Sequence, residues 1–108
     1  MKPQKVFMKS TYKLIWSDEA FEGLKEIFVY IELNFSEKDV ENFAQKFDKH
    51  LELIRLNPEI FPFSAKSKTV RRCVFAKLTS VYYTFSDDTV KLITIKDNRK
   101  HPPILPIK

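Results

Sequence analysis

Residues 69–102 read TVRRCVFAKLTSVYYTFSDDTVKLITIKDNRKHP, and this stretch decides the fold. Apolar and polar residues alternate through it, the signature of half-buried strands. Val70 to Ala76 forms one expected strand and Ser80 to Phe85 the next, joined by a turn around Lys77-Leu78. Asp87-Asp88 makes a second, tight turn into a third strand, setting Phe85 opposite Val90 and Tyr83 opposite Leu92. Strict alternation puts Val81, Tyr83, Phe85, Val90 and Leu92 on one face, and Tyr82, Thr84, Lys91, Ile93 and Ile95 on the other. The first face suits a core. The second is less polar than water alone would select, which marks it as a docking surface or one covered by a tail. The stretch ends in the basic run Asn98-Arg99-Lys100-His101 before Pro102.

Upstream, the pattern changes period. Met1 to Ser10 is a basic tail. Thr11 to Trp16 alternates as a short strand, with Tyr12, Leu14 and Trp16 on one side. Ser17-Asp18 caps a first helix whose core stripe is Ala20, Leu24, Ile27, Phe28 and Ile31. Ser36 to Asp39 carries a capping-box pattern that opens a second helix. Its stripe is Val40, Phe43, Ala44, Phe47, Leu51 and Ile54, and Pro58 stops it after Asn57. The short link makes the two helices an antiparallel hairpin. His50 is expected on the solvated side, and Ile60, Phe61 and Phe63 plug the end of the core. The expected fold is therefore α+β, in the order β-α-α-β-β-β. A two-helix hairpin packs on one face of a small antiparallel sheet, the first strand joining the edge beside the last. Residues 11–108 are expected to form a single domain.

Composition narrows the function. The chain has 108 residues, 44% of them hydrophobic, with ten Phe, enough for a core. No run approaches the roughly 20 apolar residues of a membrane span, so no membrane partner is expected. The basic N-terminus lacks an apolar signal-peptide core, and a lone Cys73 fits a reducing cytoplasm and a buried strand position. With two His and one Cys, no structural zinc site is expected, nor any other metal or cofactor. Charge is segregated. Ser17 to Glu59 holds five Lys/Arg against eleven Asp/Glu, whereas Lys66 to Lys108 holds ten against three. An acidic helical half and a basic sheet half point to a surface that meets an anion, with nucleic acid the commonest.

No phosphate loop, metal motif or nucleophile elbow is present. The chemistry available is cationic. Arg71 and Arg72 open the meander and, being adjacent, point to opposite faces. Lys91, Lys96, Arg99 and Lys100 follow, with His101. Cleavage of RNA by its own 2′-hydroxyl needs a proton acceptor, a proton donor and cations at the phosphorane. Lys96 or His101 can shuttle protons while Arg72 and Arg99 stabilise charge, with no metal. The candidate catalytic set is Arg72, Lys96, Arg99 and His101. The candidate nucleic-acid contacts are Arg71, Arg72, Lys91, Arg99 and Lys100. Arg72, Lys96 and Arg99 are expected to converge on the face or rim of the sheet that the helices leave free.

The order and spacing of these elements resemble the RelE/ParE toxin superfamily of bacterial type II toxin–antitoxin modules, the plasmid-stabilisation type. The resemblance is carried by Tyr12 to Ser17 with Ala20 and Leu24, Leu56 to Glu59, Val70-Arg71-Arg72, Val81-Tyr82-Tyr83, and Ile95 to Arg99 with Pro102. It spans most of the chain. It implies a growth-arresting cytoplasmic protein silenced by a cognate antitoxin, whose C-terminal segment wraps the toxin as helix and extended strand. RelE-like members are ribosome-dependent endoribonucleases that cut mRNA in the ribosomal A site without metal. They use Lys and Arg on the sheet, an Arg at the end of the last strand, and a C-terminal Tyr or His. Arg99 matches the last-strand Arg, and Arg71 falls near a basic position. Ser80 stands near another family Arg, and His101 is the local substitute for the Tyr. ParE-like members lack that set and poison DNA gyrase. The leading expectation is RelE-like cleavage of ribosome-associated mRNA, followed by gyrase inhibition, with a non-catalytic nucleic-acid or partner-binding module as the third.

Overall fold

The structure, a computed structural model, describes residues 11–65, 67–75 and 79–97. Its elements are β1 (Lys13–Trp16), α1 (Asp18–Asn34), α2 (Glu37–Leu56), a 3₁₀ turn (Pro58–Ile60), β2 (Arg71–Phe75), β3 (Thr79–Ser86) and β4 (Thr89–Asp97). The expected α+β order is present. The strands line up β1-β4-β3-β2. β2, β3 and β4 are antiparallel, and β1 runs parallel to β4, so the sheet is mixed at that edge. Phe85 pairs with Val90 and Tyr83 with Leu92 across the tight turn, as the spacing predicts. Asp87 takes a left-handed φ of 52° there, a conformation Asp tolerates in such turns.

Both helices start on designed caps. The Ser17 hydroxyl accepts from the Ala20 amide at 2.9 Å and donates to the Ile93 carbonyl at 2.6 Å. Ser36 and Asp39 form a complete capping box. The helices cover one face of the sheet. Ile27 and Ile31 from α1, and Phe43, Phe47 and Ile54 from α2, bury against Cys73, Phe75, Val81, Tyr83, Val90, Leu92 and Ile95. Phe75 lies 5.5 Å from the ring of Phe43 and 5.7 Å from that of Phe47. Gly23 brings α1 against β4 so closely that a Cβ there would meet the Ile95 carbonyl oxygen.

Three expectations change. Ile95, assigned by strict alternation to the open face, is buried in the core. Thr94 pairs with Tyr82 but Leu92 with Tyr83, so Ile93 is an extra residue, a β-bulge. The bulge shifts the phase, turning Ile95 inward and Lys96 outward. His50 is half-buried rather than fully on the solvated side. Its ring stacks on Phe75 at 5.1 Å, and its Nδ1 lies 2.7 Å from the Lys46 carbonyl. Finally, β2 begins at Arg71 rather than Val70, and Ala76 to Leu78 lie outside the described residues.

The segment before β2 is held by pairing. Phe63 bridges Arg71, and the Arg72 amide donates to the Pro62 carbonyl at 3.0 Å. Pro62 has no amide proton to return, so this outer ladder goes no further along β2.

Candidate nucleic-acid interface

The face of the sheet away from the helices is assembled from alternate residues of each strand. Arg72 sits on β2 opposite Tyr82. Ser80 on β3 lies between Val74 and Lys96. The Arg72 Nε donates to Ser80 Oγ at 3.1 Å, and its guanidinium lies 5.8 Å from the Tyr82 ring. Arg72 and Lys96 therefore flank one buried hydroxyl on the same face, two strand spacings apart, about 10 Å at the backbone. Both are exposed. Lys91 shares this face but pairs with Thr84 and Ile15. It stands five residues from Lys96, about 16 Å along the strand. The candidate set thus divides into a near pair, Arg72 and Lys96, and a distant Lys91.

Arg71 goes the other way, as adjacency on a strand requires. Its Nη1 donates to the Phe61 carbonyl at 2.7 Å and to the Glu59 carbonyl at 3.3 Å. Its guanidinium stacks 4.1 Å over Phe63 and lies 5.7 Å from Phe85. These bonds clamp the 3₁₀ turn and the strand after it onto the sheet. Arg99, Lys100 and His101 lie outside the described residues. On the described strands, the open face carries the cations Arg72, Lys96, Lys91 and Lys13, with the Ser80 hydroxyl and the Tyr82 phenol beside Arg72. That set can hold a phosphate.

Beneath this surface two groups resist ionisation. Burial pushes the Cys73 thiol up to about 12. Burial likewise raises the Tyr83 phenol to about 12, with the nearby Arg71 charge acting the other way. Tyr83 donates to the Pro58 carbonyl at 2.6 Å, tying the 3₁₀ turn to the sheet centre. Cys73 is a buried packing residue, as its strand position suggests. No group of His, Cys, Asp and Glu among the described residues is placed to hold a metal. No helix among them is long and apolar enough to cross a membrane.

The helical side carries surfaces that the sequence reading did not single out. A hollow of about 550 Å³ opens between α1 and α2, lined by Trp16, Phe21, Leu24, Phe28, Phe47 and Leu51, with Ala44 and Asp48 at its margin. A cleft of about 290 Å³ separates α1 from the end of β4, with Glu19, Glu22 and Glu26 on one wall and residues 94–97 on the other. Phe21, Val29 and Leu33 are exposed on α1. All three are visible in the sequence as apolar residues off the core stripe.

Comparison with known proteins agrees with this architecture. The family described as the ParE toxin of the type II toxin–antitoxin system, parDE, matches residues 14–102. No curated protein sequence matches the chain. Among solved structures, a chain described as the chromosomal ParDE TA system from P. aeruginosa is similar with a TM-score of 0.67. The two share 11% identity over 82% of this chain and 97% of that one, a likeness of fold.

Proposed function

Because the chain belongs to the ParE family, the toxins of type II toxin–antitoxin systems, we propose that it arrests growth by acting on DNA gyrase and is silenced by a cognate antitoxin. The observation that carries this reading is the ParE family match across residues 14–102. Purified protein should inhibit supercoiling by gyrase, cause DNA breaks on expression, and leave mRNA on translating ribosomes uncut. Co-expression of the antitoxin should relieve the arrest. Intact supercoiling alongside codon-phased mRNA cuts would overturn the reading.

One arrangement favours the second reading, RelE-like cleavage of ribosome-associated mRNA by Arg72, Lys96, Arg99 and His101. Arg72 and Lys96 share the open face around Ser80. On that reading, Arg72→Ala and Lys96→Ala each abolish ribosome-dependent cutting. On the gyrase reading there is no cutting to abolish.

A further inference from the structure

The four strands carry Lys13, Arg71, Arg72, Lys91 and Lys96, against Asp97 as their one carboxylate, 2% exposed. Arg71 points the other way and is bonded to the Glu59 and Phe61 carbonyls. The remaining four cations stand exposed on the open face. None of them is ion-paired among the described residues. Behind the sheet, α1 carries Asp18, Glu19, Glu22, Glu26 and Glu32 against Lys25. Charge of opposite sign on the two sides of one small domain turns the open face toward a polyanion.

The layout has a measurable size. Lys13 pairs with Thr89 and Lys91 with Ile15, so the two are diagonal neighbours on adjacent strands, about 8 Å apart at the backbone. Lys91 and Lys96 are separated by about 16 Å along β4, and Arg72 lies two strands across from them. A length of about 16 Å covers roughly five base pairs of DNA at 3.4 Å each.

We propose that the open face binds the sugar-phosphate backbone of duplex DNA, without sequence preference, through Lys13, Arg72, Lys91 and Lys96. Gripping a single strand calls for aromatic faces on which bases stack. Tyr82 is the one aromatic side chain at an outward position of the described strands, and it is half-buried with the Arg72 guanidinium 5.8 Å from its ring. What remains is charge. Duplex DNA offers one phosphate per about 1.7 Å of axis, against about 3.4 Å for one strand, so the duplex satisfies more of these cations over the same length. Contacts to phosphate position a protein on DNA and carry no sequence information. On the gyrase reading, this face gives the chain a hold on the DNA that gyrase carries. The inference does not rest on that reading, because the binding needs no gyrase.

The test uses the full chain and a labelled 16-base-pair duplex of mixed sequence, read by fluorescence anisotropy from 50 to 150 mM NaCl. Each phosphate contact contributes about −0.9 to the slope of log K against log salt, so four contribute about −3.6, a fall in affinity of about 50-fold over that range. Cations outside the described residues steepen the slope equally in every variant, so the differences between variants are decisive. Lys13→Ala, Arg72→Ala, Lys91→Ala and Lys96→Ala should each flatten the slope by about 0.9, and the fourfold variant by about 3.6. Lys49→Ala, exposed on α2, should leave affinity and slope unchanged. A second duplex of unrelated sequence should bind equally well. Far-UV circular dichroism checks that each variant is folded. Unchanged affinity and slope in the fourfold variant overturn the proposal, as does a tenfold preference between the two duplexes. Tighter binding of single-stranded DNA or RNA of the same length would make a single strand the ligand and equally overturn it. Supercoiling assays decide the gyrase reading separately, and neither result carries over to the other.

Discussion

Gly23→Ala should destabilise this protein, although it improves the helix. Inside a helix, Ala is favoured over Gly by about 1 kcal/mol. Judged by propensity alone, the substitution raises stability. The contact opposes it. A Cβ at position 23 would press into the Ile95 carbonyl oxygen and lie 3.4 Å from its carbonyl carbon. That oxygen belongs to an interior strand, paired on one side with β3 and on the other with β1. It cannot yield the way a flexible side chain yields, so α1 must lift off β4. Overpacking of this kind costs about 1–3 kcal/mol even where side chains can adjust. Here backbone must move, and Ile27 and Ile31 lose packing as it does. The net cost expected is about 2 kcal/mol after the gain in propensity, or a fall in Tm of about 8 °C for a chain of this size. Guanidinium unfolding followed through Trp16, which lies 5.9 Å from Phe47 in the core, would measure it. Glu22→Ala, one residue away and exposed, is the control and should change stability by less than about 0.5 kcal/mol. A Gly23→Ala protein as stable as wild type would refute the close approach of α1 to the sheet.

Four further outcomes follow from the same geometry. Arg71→Ala should cost about 2 kcal/mol, because it frees two carbonyls and a stacking contact, whereas Arg72→Ala, exposed, should change stability by less than about 0.5 kcal/mol; paired denaturant titrations give the contrast. Ser17→Ala loses both a cap and the bond to Ile93 and should cost about 2 kcal/mol, more than the roughly 1 kcal/mol of Ser36→Ala at an exposed capping box; thermal melts rank the two. The Cys73 thiol and Tyr83 phenol are each raised to about 12 from ordinary values near 9 and 10. The unfolded chain therefore releases these protons first. Stability should be intact below pH 9 and fall between pH 9 and 12, by about 1.4 kcal/mol per pH unit for each group fully ionised in the unfolded chain. Cys73→Ala should make that decline shallower. Native Cys73 should also resist a thiol reagent at pH 8 and react once guanidinium unfolds the chain.

Much of the fold could be read because the local signals agree with one another. Ser17 and Ser36 stand where caps are needed, Pro58 ends the second helix, and Asp87-Asp88 sets the hairpin register. Each acts through its immediate neighbours, so each is visible in a short window. The parallel pairing of β1 with β4 depends on contacts about 75 residues apart, and only its place at that edge was foreseeable. The partial burial of His50 likewise depends on a distant strand. His50 stands three residues after Phe47 and four before Ile54, at the margin of the buried stripe, and Phe75 from the β2 edge stacks on it.

The candidate site was legible only as composition. Opposite facing of Arg71 and Arg72 follows from the pleat, but which one turns inward depends on carbonyls at residues 59 and 61 that no pattern in β2 reveals. Lys96 is the sharper case. Counting by twos from Leu92 places it under the helices, where an ammonium would be buried without a counterion at severe cost. The extra residue at Ile93 reverses that count and buries Ile95 in its place. The Ile93 carbonyl is accepting the Ser17 hydroxyl, and the Ser17 amide donates to the Leu92 carbonyl at 3.0 Å. One serine thus caps α1 and pins the bulge. Removing its hydroxyl loosens the same irregularity that places Lys96 beside Arg72. The Ser17→Ala protein should therefore lose anion binding on the open face by more than its lost stability explains, measurable as weaker retention on heparin at equal folded fraction. Retention equal to wild type would mean that the bulge stands without its serine, and that the outward turn of Lys96 belongs to β3 and β4 alone.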